Sequence, residues 1–108
     1  MTGYISVYIT AASLGEAETI AKALVEDRLA ACVNIMPGVR SIYRWQGNVE
    51  ASEEVVLIAK SQSGLFPRLQ QKVKNLSSYD CPCIVAWPIT AGHQPYLDWI
   101  GKELKAKS

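Results

Sequence analysis

The residues with the clearest chemical potential in this sequence are its three cysteines. Cys81 and Cys83 flank Pro82, and residues two apart in an extended strand lie on the same side of the backbone. Their Cα atoms would be about 6.6 Å apart, so a local disulfide would be strained. Two thiolates at this spacing could hold the soft ion Cu(I), whereas zinc would need further ligands that the neighbouring sequence lacks. The alternative is a pair of small, semi-apolar residues at the start of a strand.

Cys32 and His93 are weaker candidates for a metal site. Cys32 lies in a segment of strand-like alternation, where a buried, inert thiol is the default and a metal ligand is the alternative. His93 precedes Pro95 at the start of a predicted helix, which is typical of a surface or capping residue. Because the number of cysteines is odd, complete pairing within the chain is impossible, which favours reduced thiols in a cytosolic protein.

A group of aromatic and polar residues offers a second kind of chemistry. Such groups concentrate where a cleft presents a few fixed polar contacts to a small ligand. We predict that this group lines a cleft between subunits that binds a small anion, a nucleotide or an ion. The alternative is that the same residues pack between subunits and form a solvated rim. The predicted residues are Ser41, Tyr43, Trp45, Glu54, Lys60, Tyr79 and Asp80.

No recognised catalytic motif accompanies these residues. The sequence contains no G-x-S-x-G, P-loop or H-E-x-x-H pattern, and its one histidine gives little basis for triad chemistry. We therefore predict that the protein is not an enzyme. A catalytic site between subunits is the remaining alternative.

Hydrophobic periodicity predicts the elements that position these residues. Ile5, Val7 and Ile9 alternate with polar and aromatic residues, as in a strand. The segment 13–16 has the S-x-x-E form of a capping box, and the apolar stripe over 17–25 behind it predicts an amphipathic helix.

The remaining elements follow in the order strand, strand, helix, strand, helix. This order predicts an α+β, ferredoxin-like β-α-β-β-α-β fold with an extra C-terminal helix, in which helices cover one face of a four-stranded sheet. The bare face and the long hairpin predict oligomerisation without setting the number of subunits. The predicted elements are a strand over 30–46 that bends at 37–38 (or turns there between two strands), a hairpin turn at 46–48, a strand over 54–60, helical spacing over 66–76, a strand over 83–89 and a short helix from Pro95.

Length and composition limit the class of protein. With 108 residues, the chain is predicted to be one domain over 1–108. A net charge of +1 with scattered basic residues argues against nucleic acid and acidic membranes as partners. No stretch approaches the roughly 20 apolar residues of a membrane helix, and the N-terminus lacks the features of a signal peptide. We therefore predict a cytoplasmic protein.

Three segments resemble the CutA divalent-cation tolerance family. They are LAACVNIMPG at 29–38, SIYRWQG at 41–47 and YLDWI at 96–100, and the resemblance extends from about Tyr4 to Ile100. It implies a ferredoxin-like protomer in a homotrimer that is closed by strand pairing between subunits, akin to the trimeric PII signalling proteins. It also implies a link to the tolerance of divalent cations, copper above all.

On this resemblance, the predicted function is that of a small trimeric binding or signalling protein in the response to metal ions. The alternative is a structural trimeric scaffold, or a protein that anchors a partner, with no direct metal binding. The family commonly has a His-Pro-Tyr-Glu-x-Pro-Glu segment before the last strand, where this chain has SSYDCPC at 77–83. Ser77 therefore replaces the family's histidine. Cys81, Cys83 and Cys32 remain as candidate ligands for copper or another divalent cation.

Overall fold

The computed structural model describes residues 2–105, which form an antiparallel four-stranded sheet and three α-helices. The sheet has the strand order β2-β3-β1-β4, so β2 and β4 are its edges. This arrangement confirms the predicted ferredoxin-like fold with an additional C-terminal helix. The elements are β1 (Tyr4–Ala11), α1 (Leu14–Glu26), β2 (Cys32–Trp45), β3 (Asn48–Gln62), α2 (Phe66–Leu76), β4 (Ile84–Pro88) and α3 (Gln94–Glu103).

The first helix begins at the predicted capping box. Ser13 Oγ accepts a hydrogen bond from Glu16 N at 3.2 Å, and Glu16 Oε2 accepts one from Ala12 N at 3.3 Å. The first bond satisfies an amide group that a helix start leaves without a partner, and the second ties Glu16 to the residue before the N-cap. The apolar stripe of α1 is buried from Ala17 to Leu24, whereas Val25, at the margin of the stripe, is exposed.

Strand alternation divides the sheet into a covered face and an open face. Val7, Ile9 and Leu57 point to the covered face and pack with α1 and α2 in the hydrophobic core, with 0% of their surface exposed. Tyr8 and Thr10 point to the opposite side, because successive side chains in a strand alternate. We call that side the open face, and it comprises Ser6, Tyr8 and Thr10 of β1 with the residues that pair with them, which include Val56, Ile58, Lys60, Val85 and Trp87.

The hairpin of β2 and β3 continues beyond the helices. Its turn consists of Gln46 and Gly47, with φ values of 51° and 84°, and Trp45 pairs with Asn48. A β-bulge shifts the register between Met36 and Val39, which confirms the predicted bend in one long strand. β3 begins at Asn48 rather than at Glu54. Residues 48–53 are mostly exposed, so their backbone pairing with β2 defines the strand and an apolar pattern does not.

The last helix closes one end of the open face. Leu97 and Ile100 of α3 are buried, and Arg28 Nε donates a hydrogen bond to Glu103 O at 2.9 Å. The side chain of Tyr4 is on the open face, and Gly101 lies against its hydroxyl. A larger side chain at position 101 would therefore collide with Tyr4.

In the described part of the chain, no helix combines the length and the apolar character that a membrane crossing requires.

We expect Ser61→Ala to destabilise the fold. Ser61 has 0% exposure, and its hydroxyl donates a 2.7 Å hydrogen bond to the carbonyl of Leu29. Removal of this donor leaves the carbonyl without that partner, which costs about 1–3 kcal/mol of unfolding free energy. Urea denaturation at fixed protein concentration measures the change. Ser63→Ala, at an exposed serine, is the control, and equal stability of the two variants would contradict the expectation.

Candidate functional site

A cavity of about 740 Å³ lies on the open face, between the hairpin and the loop that precedes β4. β1 contributes Tyr8 and Thr10 to its floor. A volume of this size is within the range of small-molecule binding sites. The hairpin and the loop supply most of the walls, with Ser41, Tyr43, Trp45, Ser52, Glu53, Glu54, Tyr79, Asp80, Cys81 and Cys83.

The cavity brings together the predicted site residues other than Lys60. Ser41, Tyr43, Trp45, Glu54, Tyr79 and Asp80 all line it. Lys60 shares the open face with Glu54, but the strand places it about 20 Å further along. There Lys60 pairs with Ser6 and Cys32 in the sheet, and its Nζ donates a 3.0 Å hydrogen bond to Asn34 Oδ1. Two residues on the same face of a strand therefore need not belong to the same site.

Three hydrogen bonds hold the loop against β3, α1 and β1. Tyr79 Oη donates to Glu54 Oε2 at 2.7 Å, which joins the loop to β3. Ser78 N donates to Glu16 Oε1 at 3.2 Å, so the carboxylate that caps α1 also anchors the loop. The loop reaches β1 through the 3.3 Å hydrogen bond from Thr10 N to Cys83 O. Glu16, in the first turn of α1, therefore contributes to the shape of the site through its bond to the loop.

The hairpin supplies the aromatic wall of the cavity. Strand alternation places Tyr43 and Trp45 on the open face, and 41% and 48% of their surfaces remain exposed. The hydroxyl oxygens of Tyr43 and Ser52 lie 3.2 Å apart and form a hydrogen bond across the two strands. Sequence analysis missed Tyr8 and Thr10 as site residues. Their parity placed them opposite the core, but only the pairing of β1 with β3 and β4 reveals that they face the hairpin and the loop.

The lining of the cavity is acidic. Glu53, Glu54 and Asp80 are carboxylates in the lining, and among residues 2–105 no lysine, arginine or histidine lines the cavity. Burial, the hydrogen bond to Glu54 and the negative charges of Glu54 and Glu16 raise the pKa of Tyr79 well above its ordinary value. Burial, followed by the charge of Glu54, also raises the pKa of the Cys83 thiol. Burial and the nearby carboxylates therefore both favour the neutral phenol and thiol groups, and the carboxylates also favour a positive charge in the cavity.

The candidate metal ligands form no complete centre within residues 2–105. No three histidine, cysteine, aspartate or glutamate side chains in that range come together in a way that could hold a metal ion. Cys81 and Cys83 both line the cavity, but Cys32 lies beside Lys60 near the other end of β3. His93 precedes α3 and is exposed. All three cysteines are free thiols, so Cys81 and Cys83 remain the one pair that could act together.

The sequence and the fold are similar to those of known proteins. A profile of the family described as CutA1 divalent ion tolerance protein matches residues 5–103. The Divalent-cation tolerance protein CutA of Thermus thermophilus is 55% identical over 94 residues, which cover 87% of this chain and 91% of that protein. The solved structure of a Cut A1 protein from Thermus thermophilus superposes with a TM-score of 0.93 at 51% identity, and the match covers 94% of this chain and 99% of that chain. The structure of the Periplasmic divalent cation tolerance protein CutA from Archaeoglobus fulgidus superposes with a TM-score of 0.91 at 46% identity, with coverages of 94% and 99%.

We expect Tyr79→Phe to reduce the loss of stability at alkaline pH. Because folding raises the pKa of Tyr79, its contribution is fully present below about pH 10, the ordinary pKa of tyrosine, and is lost as the pH rises above that value. Urea denaturation between pH 8 and 11 should therefore show a steeper fall in unfolding free energy for the natural protein than for Tyr79→Phe.

Two further variants test the physical cause of this pH dependence. Glu54→Gln removes the charge next to the phenol and should weaken the pH dependence. Glu50→Gln removes a carboxylate on the same strand and on the same face, outside the cavity lining, and should leave the pH dependence unchanged. Identical alkaline profiles for Tyr79→Phe and the natural protein would contradict the assignment.

Proposed function

The chain belongs to the CutA1 divalent ion tolerance family, and on that premise we propose that it acts as a homotrimeric binding or signalling protein in the response to divalent metal ions, copper above all. The observation that carries the binding role is the cavity on the open face, in which Ser41, Tyr43, Trp45, Glu54, Tyr79 and Asp80 come together. A concave site with aromatic walls and a few fixed polar groups is suited to reversible binding of a small ligand.

The exposed apolar surface of the hairpin supports an oligomer. Ile42 and Val49 are 72% and 69% exposed, and register pairs Ile42 with Ala51, so the two side chains are diagonal neighbours on one face. β2 also presents an edge with no strand beside it in the described sheet. Strand pairing with another copy would satisfy the edge and cover the apolar residues together. Three is the number of subunits that the family resemblance implies.

The same assembly would complete the ligand site. The aromatic wall of the cavity lies on one face of the hairpin, and the exposed apolar residues Ile42 and Val49 lie on its other face. A neighbouring copy that covers both faces of the hairpin would turn the cavity of one chain into a cleft between subunits. Assembly and ligand binding would then depend on the same strands.

Direct copper binding would use Cys81 and Cys83, since thiolates are suitable ligands for a soft ion. Both residues line the cavity, and Cys83 lies near the carboxylate of Glu54. The raised pKa of Cys83 opposes thiolate formation, so copper would have to displace a proton that is held more tightly than usual.

A second candidate function is a trimeric scaffold or partner-anchoring protein whose link to metal tolerance is indirect. It is favoured by the absence of a three-ligand cluster among residues 2–105. In that case the cavity would bind a small molecule or a partner and no metal ion. We also propose a cytoplasmic location, supported by the three free thiols, which are typical of a reducing compartment.

We expect the double variant Ile42→Asp with Val49→Asp to dissociate the trimer. Two carboxylates in place of exposed apolar side chains would have to be desolvated in the interface, while the fold of the protomer would be unaffected. Native mass spectrometry should show a trimer for the natural protein and a monomer for the variant, with circular dichroism to verify folding. Leu14→Asp, at an exposed apolar residue outside the hairpin, is the control. A monomeric natural protein, or a variant that stays trimeric, would contradict the proposed assembly.

The role of copper is tested by metal uptake. If the protein binds copper directly, native mass spectrometry of the reduced protein with Cu(I) should show a fixed number of ions per subunit. This uptake should disappear in Cys81→Ser with Cys83→Ser and persist in Cys32→Ser, because Cys32 lies outside the cavity. A trimer that takes up no Cu(I), Cu(II) or Zn(II) would support the scaffold function, and equal losses in the two sets of variants would argue against the cavity as the metal site.

A further inference from the structure

We propose that the open-face cavity binds a small organic cation, a primary ammonium group attached to an apolar body. This inference deepens the proposed function and rests on it in one respect, since it takes the cavity as the binding site. It does not depend on copper. The size of the cavity, its aromatic walls, its charge and the Thr10 hydroxyl on its floor all favour such a ligand.

The size of the cavity exceeds what a single metal ion needs. A water molecule occupies about 30 Å³ of liquid, so an ion with a full shell of six waters occupies roughly 200 Å³. The cavity has about 740 Å³, which is within the range of sites for organic ligands. A bare or hydrated ion would leave most of the aromatic wall without a contact. The volume therefore indicates a molecule with a body of its own.

The aromatic walls suit a ligand with a positive charge and an apolar body. Tyr43, Trp45 and Tyr79 line the cavity together with Tyr8. The faces of such rings attract a cation within about 6 Å and also provide apolar contact area. Trp45 is 48% exposed, so much of its indole surface is free to contact a ligand.

The polar groups of the lining are acceptors. Glu54 uses Oε2 to accept the hydrogen bond from Tyr79, which leaves Oε1 available, and Glu53 and Asp80 are further carboxylates of the lining. Thr10 is only 7% exposed and points to the open face, yet its hydroxyl forms no hydrogen bond with another described side chain or backbone group. An ammonium group carries three donors, which matches a site with a carboxylate and a free hydroxyl.

The same lining argues against the anionic ligand that the sequence allowed. A phosphate or carboxylate would face Glu53, Glu54 and Asp80, and no lysine, arginine or histidine of the described chain lines the cavity to offset the repulsion. Lys60, the basic residue predicted for this role, bonds to Asn34 instead. An organic ammonium compound satisfies the acidic groups and the aromatic groups at once.

Isothermal titration calorimetry with three probes of similar shape tests this inference. The probes are benzylammonium, benzyl alcohol and benzoate, titrated into the full-length natural protein. Benzylammonium should bind at least about tenfold more tightly than benzyl alcohol, and benzoate should bind more weakly than either. Glu54→Gln and Trp45→Leu should each weaken benzylammonium binding by about tenfold. Glu50→Gln and Trp99→Leu, which alter the same residue types outside the cavity lining, should leave it unchanged.

Three outcomes would overturn the inference. They are no binding of benzylammonium at millimolar concentration, binding of benzoate as tight as that of benzylammonium, or equal effects of Glu54→Gln and Glu50→Gln. The proposed function fails on different evidence. A trimer that binds copper but no ammonium probe would retain the proposed function and reject this ligand. A protein that binds benzylammonium but neither forms trimers nor takes up metal would retain the ligand class and reject the proposed assembly and metal role.

Discussion

The antiparallel pairing of β2 with β3 is the interaction on which the functional part of this protein depends. The first part of the pairing lies in the sheet beside the helices, where Ile35 pairs with Leu57 at the core. The second part continues past the bulge at 36–39 to the turn at Gln46 and Gly47, where most side chains are exposed and backbone hydrogen bonds define the strands. This extension carries Ser41, Tyr43 and Trp45 to the cavity. Without this extension the cavity would keep the floor that β1 forms, but it would lack the aromatic wall.

The same extension leaves the chain with more apolar surface than its own core can cover. A helix-covered sheet buries one face, and the alternation of side chains leaves the other face to be covered by something else. In this protein α3 covers the end of the open face near Tyr4, and the end near Thr10 is occupied by the cavity. A neighbouring subunit of the proposed trimer and a ligand bound in the cavity would therefore both cover surface that the two-layer fold leaves exposed.

Glu16 and Glu54 link the stability of the fold to the properties of the site. Glu16 satisfies an amide at the start of α1 and another in the loop at Ser78, so one carboxylate serves two elements. Glu54 accepts a hydrogen bond from the hydroxyl of Tyr79, and its charge adds to the effect of burial in raising the pKa of both Tyr79 and Cys83. A site in which carboxylates keep their neighbours protonated favours cations from outside. The two ligand classes considered for the cavity, a soft metal ion and an organic ammonium compound, both carry the positive charge that such a site favours.

The sequence by itself determined the order of elements, because apolar periodicity and the capping box at 13–16 act locally along the chain. Alternation within a strand needs no tertiary information, so the sequence also placed Tyr43 with Trp45, and Glu54 with Lys60, on shared faces of their strands. Only the tertiary structure decided how far along the open face each residue lies. It united Thr10 with Cys83, and it separated Lys60 and Cys32 from the cavity. The physical reason is that register and strand order depend on pairing between distant segments, which parity within one strand cannot specify.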